Sequence, residues 1–367
     1  MIAIPCHWNK KVIEIIIKQK KLSKSIEIKE IYGVIPKEIV PHGRSDEAVI
    51  DIKRDKALNF RQYIKSKGFK FIYLLNAPFT FNSQRTKKKT KDYLDWIINV
   101  FKADALMVAS YELMKFIRKH YRDVKIYIST IAAIANIKQL EKFLDINPTR
   151  VVAHHDVNRN FHDLKKLIKK ANRWNIELEL MLTESCLRRC PLRKQHYEYL
   201  GNRISDASFH TTCNSYRLTY PLEILKANFI RPEDISLYES MGVHHFKITG
   251  RSKPGSWLPE VTKAYLQRKY NGNIIRLLGI DPSINAENWI YLDNQALEGF
   301  LQNFPKTNNV EEENIYCNKW IVRLYNNKKF YIKDHSQYRR DKKGLLKCWN
   351  PGVYLLKIFK NEKINTN

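Results

Sequence analysis

Acidic side chains are scarce in this chain: 37 Asp and Glu stand against 65 Lys and Arg over 367 residues, a formal charge of +28. Clustered Lys and Arg attract nucleic-acid phosphates, so RNA is one expected partner. The other reading is a chain rich in Lys, Ile and Asn throughout, with lysines on solvated helix faces and no polyanion needed. Only short runs concentrate the charge, RTKKKTK at 85–91 and RRDKKG at 339–344. Long apolar runs are missing too. Val12–Ile17, among the longest, is interrupted by Glu14 and stopped by Lys18, which excludes a bilayer-spanning segment. The opening MIAIPCHWNKKV lacks the basic, apolar, small-residue order of a secretory signal. Six unevenly spread cysteines exclude a disulfide framework and suit a reducing cytoplasm. Hydrolase signatures are absent as well, with neither H-E-x-x-H nor G-x-S-x-G in the chain.

What is present is enough for a real core, with 44% hydrophobic and 12% aromatic residues. Short β-like runs recur at 1–6, 26–34, 71–77, 105–110, 125–130, 150–156, 176–182 and 243–250. Helical spacing of apolar residues fills 92–102, 112–121, 137–146 and 161–174 between them. In the last of these Phe161, Leu164, Leu167, Ile168 and Ala171 share one face, with lysines opposite. Strands alternating with helices over short connections predict a parallel sheet, and eight of them predict an α/β fold, a (β/α)8 TIM-barrel-like domain, regular or distorted. We assign the barrel to 1–285, with long insertions at 35–70 and 183–242, the second bearing cysteines. The alternation stops past 285, and 286–367 reads as a small C-terminal extension, partly β. Within it WIYLDNQALEGFLQNF (289–304) predicts a strand and a short helix, and KWIVRLY, KKFYIKD and GVYLLKIF predict further β pieces.

Barrel enzymes carry their chemistry at the carboxyl ends of the strands. There this chain places Cys6, Asn76, His155 with Asp156, Glu184 with Cys186, and Arg251. MLTESCLRRCPLRKQH (181–196) joins Cys186 and Cys190 in a C-x-x-x-C pair, and Cys213 follows in the same insertion. Thiolates select zinc or iron–sulfur cores, and the wide spacing tilts toward iron–sulfur with zinc as the alternative. A radical-SAM motif fails, because Arg193 stands where its third cysteine belongs. Arg188, Arg189 and Arg193 are expected to lower thiol pKa values and offset cluster charge. A cubane core takes four ligands, and Cys6 is the leading fourth candidate, against a reading as a small buried hydrophobe. Glu184 and the pair His155 and Asp156 are the candidate catalytic, proton-handling groups, unless they merely bond the rim. Arg44, Asn76 and Arg251 are the candidate substrate-binding residues; the two arginines can clamp a carboxylate or phosphate, or Arg251 pairs with Glu184 or Asp156.

Several stretches carry a family likeness. KIYISTIAAIANIKQLEKFLDI, RVVAHHDVNRNFHDLKKLIKKA and IELELMLTESCLRRCPLR, in that order, resemble the collagenase-like peptidase family U-32. FIRPEDISLYESMGVHHFKITGR (229–251) matches its motif G-[IV]-x-x-[FL]-K-[ILV]-x-[GD]-R, and YLLNAPF, PHGR and YLDNQALEGFLQNF resemble one uncharacterised subgroup. The likeness covers roughly residues 1–304. It implies a barrel with a [4Fe-4S] cluster on cysteines matching Cys186, Cys190 and Cys213, and oxygen-independent hydroxylation of RNA bases or a small molecule. By name it implies a collagenase-like peptidase instead. A partner subunit of the same family, or a non-catalytic binding role, is the remaining expectation. This chain departs from the subgroup in lacking a further cysteine shortly after Cys213, where it reads CNSYRLT, and in keeping only Cys317 of the cysteine-rich stretch that follows the DNQALEGF segment.

Overall fold

Every predicted β-like run ahead of residue 285 contains a strand, and all eight strands share one sheet. In chain order they are β1 (Ile2–Pro5), β2 (Ile28–Gly33), β3 (Lys70–Leu75), β4 (Ala105–Val108), β5 (Ile126–Ile128), β6 (Arg150–Val152), β7 (Glu177–Met181) and β8 (His245–Lys247). Each pairs in parallel with the next, and β1 closes on β8, giving a closed (β/α)8 barrel. The computed structural model describes residues 1–348 apart from 24, 207, 281–285, 334–337 and 343.

Strands covered on both faces read as continuous apolar runs, which is why β1, β3 and β4 are buried almost throughout. The crossings are α1 (Lys10–Gln19), α2 (Arg54–Ser66), α3 (Gln84–Asp95), α4 (Tyr111–His120), α5 (Ile137–Glu141) and α6 (Phe161–Arg173). Asn9, Ser83, Ser110, Asn136 and Asn160 cap five of them, each side chain accepting from a backbone N–H in the first turn. As expected, α6 buries Leu164, Leu167, Ile168 and Ala171, with Phe161 half-buried at its start. The stretch 35–70 is only partly an insertion, since α2 within it is the barrel's own second helix.

Between β7 and β8 lie α7 (Arg193–Gly201), α8 (Ser208–Thr219), α9 (Leu222–Lys226) and α10 (Ile235–Ser240). After β8, α11 (Trp257–Gln267) docks on α1: Gln19 donates to the Pro259 carbonyl at 3.0 Å and accepts from Thr262 at 2.7 Å. The C-terminal part holds α12 (Ala286–Trp289), β9 (Ile290–Leu292), α13 (Val310–Asn326), β10 (Phe330–Ile332), β11 (Tyr338–Arg340) and β12 (Leu346–Cys348). There β9 pairs antiparallel with β10 and β11 with β12, and α13 packs on α9. One expectation is corrected: KWIVRLY belongs to α13 and is not a strand. Its β-branched run suggested β, but Cys317, Ile321 and Leu324 are buried at helical spacing, Asn309 caps the helix by accepting from the Glu311 and Glu312 N–H groups, and three glutamates stand in the first turn. GVYLLKIF and residues 281–285, just ahead of the expected 285/286 boundary, lie outside those described. Among the described residues no helix is long and apolar enough to cross a membrane.

One charged cluster crosses the barrel interior. Arg150 on β6 reaches Glu30 on β2 at 2.5 and 3.1 Å, and lies 3.8 Å from Glu179 on β7. Since β2 and β6 are not neighbours in the sheet, the contact runs through the barrel's centre.

Candidate functional site

The cysteine loop leaves β7 through Thr183, whose hydroxyl meets that of Thr249 at 2.8 Å and so joins the ends of β7 and β8. Glu184 then turns back, and its carboxylate accepts the Cys186 N–H at 2.7 Å. Arg189, between the two cysteines, has φ 52, a left-handed conformation unfavourable for a residue with a Cβ. Asp156 holds it there, accepting the Arg189 N–H at 3.2 Å and the Asn228 amide at 2.7 Å. The Asp156 carbonyl accepts from Arg188 at 2.8 Å. Asp156 and Glu184 are thus committed to shaping the loop.

That shape brings Cys186 and Cys190 together with Cys213 from α8 around one cavity of about 950 Å³, open mouth included, at the carboxyl end of the barrel. Cys190 and Cys213 share a hydrogen bond, which holds the Cys190 thiol down to about 6 and raises that of Cys213. Burial, with Glu184 alongside, pushes Cys186 up to about 12. Cys6 is not brought to this cavity, contrary to the expected fourth ligand. It is buried against the backbone of Gly33, where an added Cβ would lie 2.7 Å from the Cys6 Cβ, and burial raises its thiol far above the ordinary value. Cys6 packs as a small core residue.

Among the described residues no group of three or more His, Cys, Asp and Glu is arranged to hold a metal ion. A zinc ion with Zn–S bonds of about 2.3 Å needs its sulfurs within roughly 4 Å of one another. Cys190 and Cys213 lie close enough to share a hydrogen bond, and Cys186 lines the same cavity, so as soft donors the three fit as anchors of an iron–sulfur core or of zinc.

Arginines line the same cavity. Arg251 is buried, its Nη1 has no hydrogen-bond partner, and burial together with nearby Arg44 lowers its pKa to about 9. Neither expected bridge forms, because Glu184 and Asp156 serve the cysteine loop. Arg44 rides on a loop pinned by Asn76, whose side-chain oxygen accepts the Gly43 N–H at 3.1 Å. A Cβ at 43 would fall 2.5 Å from Ile131 Cδ1 and 3.2 Å from the Asn76 carbonyl oxygen, so a larger residue there would displace the Ile131 side chain. The structure therefore brings Arg44, Asn76, Glu184 and Arg251 to the thiols' cavity, and leaves His155 and Asp156 outside it. His155 is fully buried with its Nδ1 3.4 Å from Arg193, and burial lowers its pKa well below the ordinary value.

Of the three arginines expected around the thiols, only Arg193 lines the cavity. Arg188 and Arg189 turn to Glu313 on α13, at 2.9 and 2.6 Å. Sequence reasoning missed Glu313, because its partners lie more than a hundred residues away. It also missed Lys247, hidden in the FKITGR motif, whose side chain reaches the cavity floor.

Residues 51–273, more than half of the chain, match Peptidase family U32. The chain belongs to that family. The span shared with U32 proteins contains β3 to β8, the three thiols and Arg251, while Arg44 and α13 lie outside it. An uncharacterized protease of Methanocaldococcus jannaschii is similar to this U32 chain, 27% identical over 267 residues, covering 70% of this chain and 77% of the relative. A solved U32 peptidase superposes with a TM-score of 0.46 at 15% identity, covering 68% of this chain and 92% of the other.

Proposed function

We propose that this U32 protein is an iron–sulfur enzyme that hydroxylates, or otherwise modifies by redox chemistry, a substrate entering the barrel mouth. One observation carries the reading: Cys186, Cys190 and Cys213 line a single cavity that Arg44 and Arg251 also line. A cluster bound there supplies electron transfer. The chain's own residues do the rest. Glu184 and Asp156 fix the loop that presents the thiols, Asn76 fixes the loop that presents Arg44, and the two guanidiniums bind an anionic group of the substrate. Phe209 and Tyr197 line the same cavity and shield it from water. A small molecule suits this enclosed site better than a structured RNA, whose target base must be flipped out to enter. The free thiols agree with a cytoplasmic setting.

The peptidase reading rests on the family's name and on the protease named among the relatives. A thiol peptidase needs a base beside its nucleophile; His155 lies beside Arg193 instead, and His196 is the histidine that lines the thiols' cavity. Anaerobic purification with iron and sulfide analysis tests the proposal. A brown protein that loses iron in Cys186→Ala, Cys190→Ala and Cys213→Ala supports it. A colourless protein with stoichiometric zinc overturns it. Cleavage of unfolded collagen that vanishes in Cys186→Ala would establish the peptidase instead.

A further inference from the structure

Lys247 is the last residue of β8 and lines the cavity floor, yet it is only 6% exposed. Its amine meets the Met107 thioether at 2.9 Å and lies 4.0 Å from the centre of the Tyr32 ring. The Tyr32 hydroxyl is itself fixed, donating to the Ile248 carbonyl at 2.6 Å. Among the described residues no carboxylate reaches the Lys247 amine at ion-pair distance. Glu179 and Glu30 act on it from further away, and Arg251 and Arg150 oppose them.

A fully charged ammonium in such a place is costly, whereas a neutral amine packs against sulfur and an aromatic face at little cost. Burial accordingly lowers the Lys247 pKa below that of an ordinary lysine. A neutral lysine amine in a pocket is a nucleophile for carbonyl carbon. The same cavity supplies a site for a carboxylate, the unpartnered Nη1 of buried Arg251 with Arg44 beside it.

We propose that Lys247 forms an imine with a 2-oxo acid whose carboxylate is held by Arg251 and Arg44. The amine lone pair forms the C–N bond, and the carbonyl oxygen takes up a proton as the nitrogen loses one. The resulting hydroxyl then leaves as water when the C=N bond forms. Amine and ketone become imine and water, with no change of oxidation state and no further reactant. The inference rests on the guanidinium pair assigned above and is independent of the thiols.

Reductive trapping tests it on the full-length, anaerobically purified protein, with pyruvate as the probe and cyanoborohydride as the hydride donor. Peptide mass analysis should find one secondary-amine adduct, on the peptide containing Lys247, and none in a folded Lys247→Arg variant. Acetone, which lacks the carboxylate, should need at least a tenfold higher concentration for equal labelling of the unaltered protein. Arg251→Gln should remove that advantage of pyruvate. No adduct on Lys247, or labelling spread evenly over surface lysines, overturns the proposal. So does equal labelling by the two probes. Trapping is read by mass whatever the iron content, so its failure and the failure of the cluster reading are separate results.

Discussion

The Glu313 carboxylate on α13 grips the Arg188 guanidinium of the cysteine loop through two hydrogen bonds, of 2.9 and 3.0 Å. Arg189 bonds the same carboxylate at 2.6 and 2.9 Å, and Glu313 is fully buried. One acidic residue of the C-terminal part thus compensates two cations beside the thiols.

Removing that compensation should be costly. Glu313→Gln leaves the buried Arg188 guanidinium without a counter-charge and the half-buried Arg189 without its partner, which destabilises by about 3 kcal/mol or more. Chemical denaturation should show the loss. Thiol alkylation should show that Cys186 and Cys190 react faster in the variant, because the loop between them is no longer held. An unchanged alkylation rate would mean that Asp156 and Glu184 hold the loop without α13.

Arg150 makes the corresponding test inside the barrel. Arg150→Met strands Glu30 and Glu179 in the interior and should cost about 3–5 kcal/mol by denaturant titration. Adding Glu30→Gln and Glu179→Gln to that variant should restore much of the loss, because no unpaired charge then remains buried. If the triple variant is no better than the single one, packing rather than charge dominates the interior.

Gly250 precedes Arg251 at φ 130, and a Cβ there would fall 2.6 Å from Trp257 Cζ3. Gly250→Ala should therefore force the ring or the backbone to move, at a cost of about 2 kcal/mol. The melting temperature should fall by roughly 4 °C. Near-ultraviolet circular dichroism should register the displaced tryptophan.

Acid sensitivity follows from the buried histidines. Burial, helped by Arg150, lowers His245 to about 3, and burial with Arg251 lowers His42 to about 3. The unfolded chain binds these protons near pH 6.5, so it holds more protons than the fold between pH 6.5 and pH 3. Their contribution is complete above pH 6.5 and is lost as the pH falls toward 3. The slope is at most roughly 1.4 kcal/mol per pH unit for each histidine. Urea midpoints at pH 7.5, 6 and 5 should fall in order, and His245→Gln should flatten the decline. A decline equally steep in the variant would remove His245 from this account.

The barrel was legible because its strands are short apolar runs separated by helices of clear 3.6 period, such as α6. KWIVRLY was not, since β-branched residues sit in a helix whose buried positions are four and three apart. At the site the thiols' convergence could be read from their shared insertion. The duties of Asp156 and Glu184 could not, because what they hold is backbone N–H, which leaves no mark in side-chain type. Cys6 ends its strand as expected but packs on Gly33, a contact set by the missing Cβ of a residue on the next strand.

The hold of Glu313 on Arg188 spans 125 residues of sequence. A ribosome releases the cysteine loop well before it has made α13, so for that interval the nascent barrel holds its thiols through Asp156 and Glu184, with Arg188 and Arg189 not yet matched by their acidic partner.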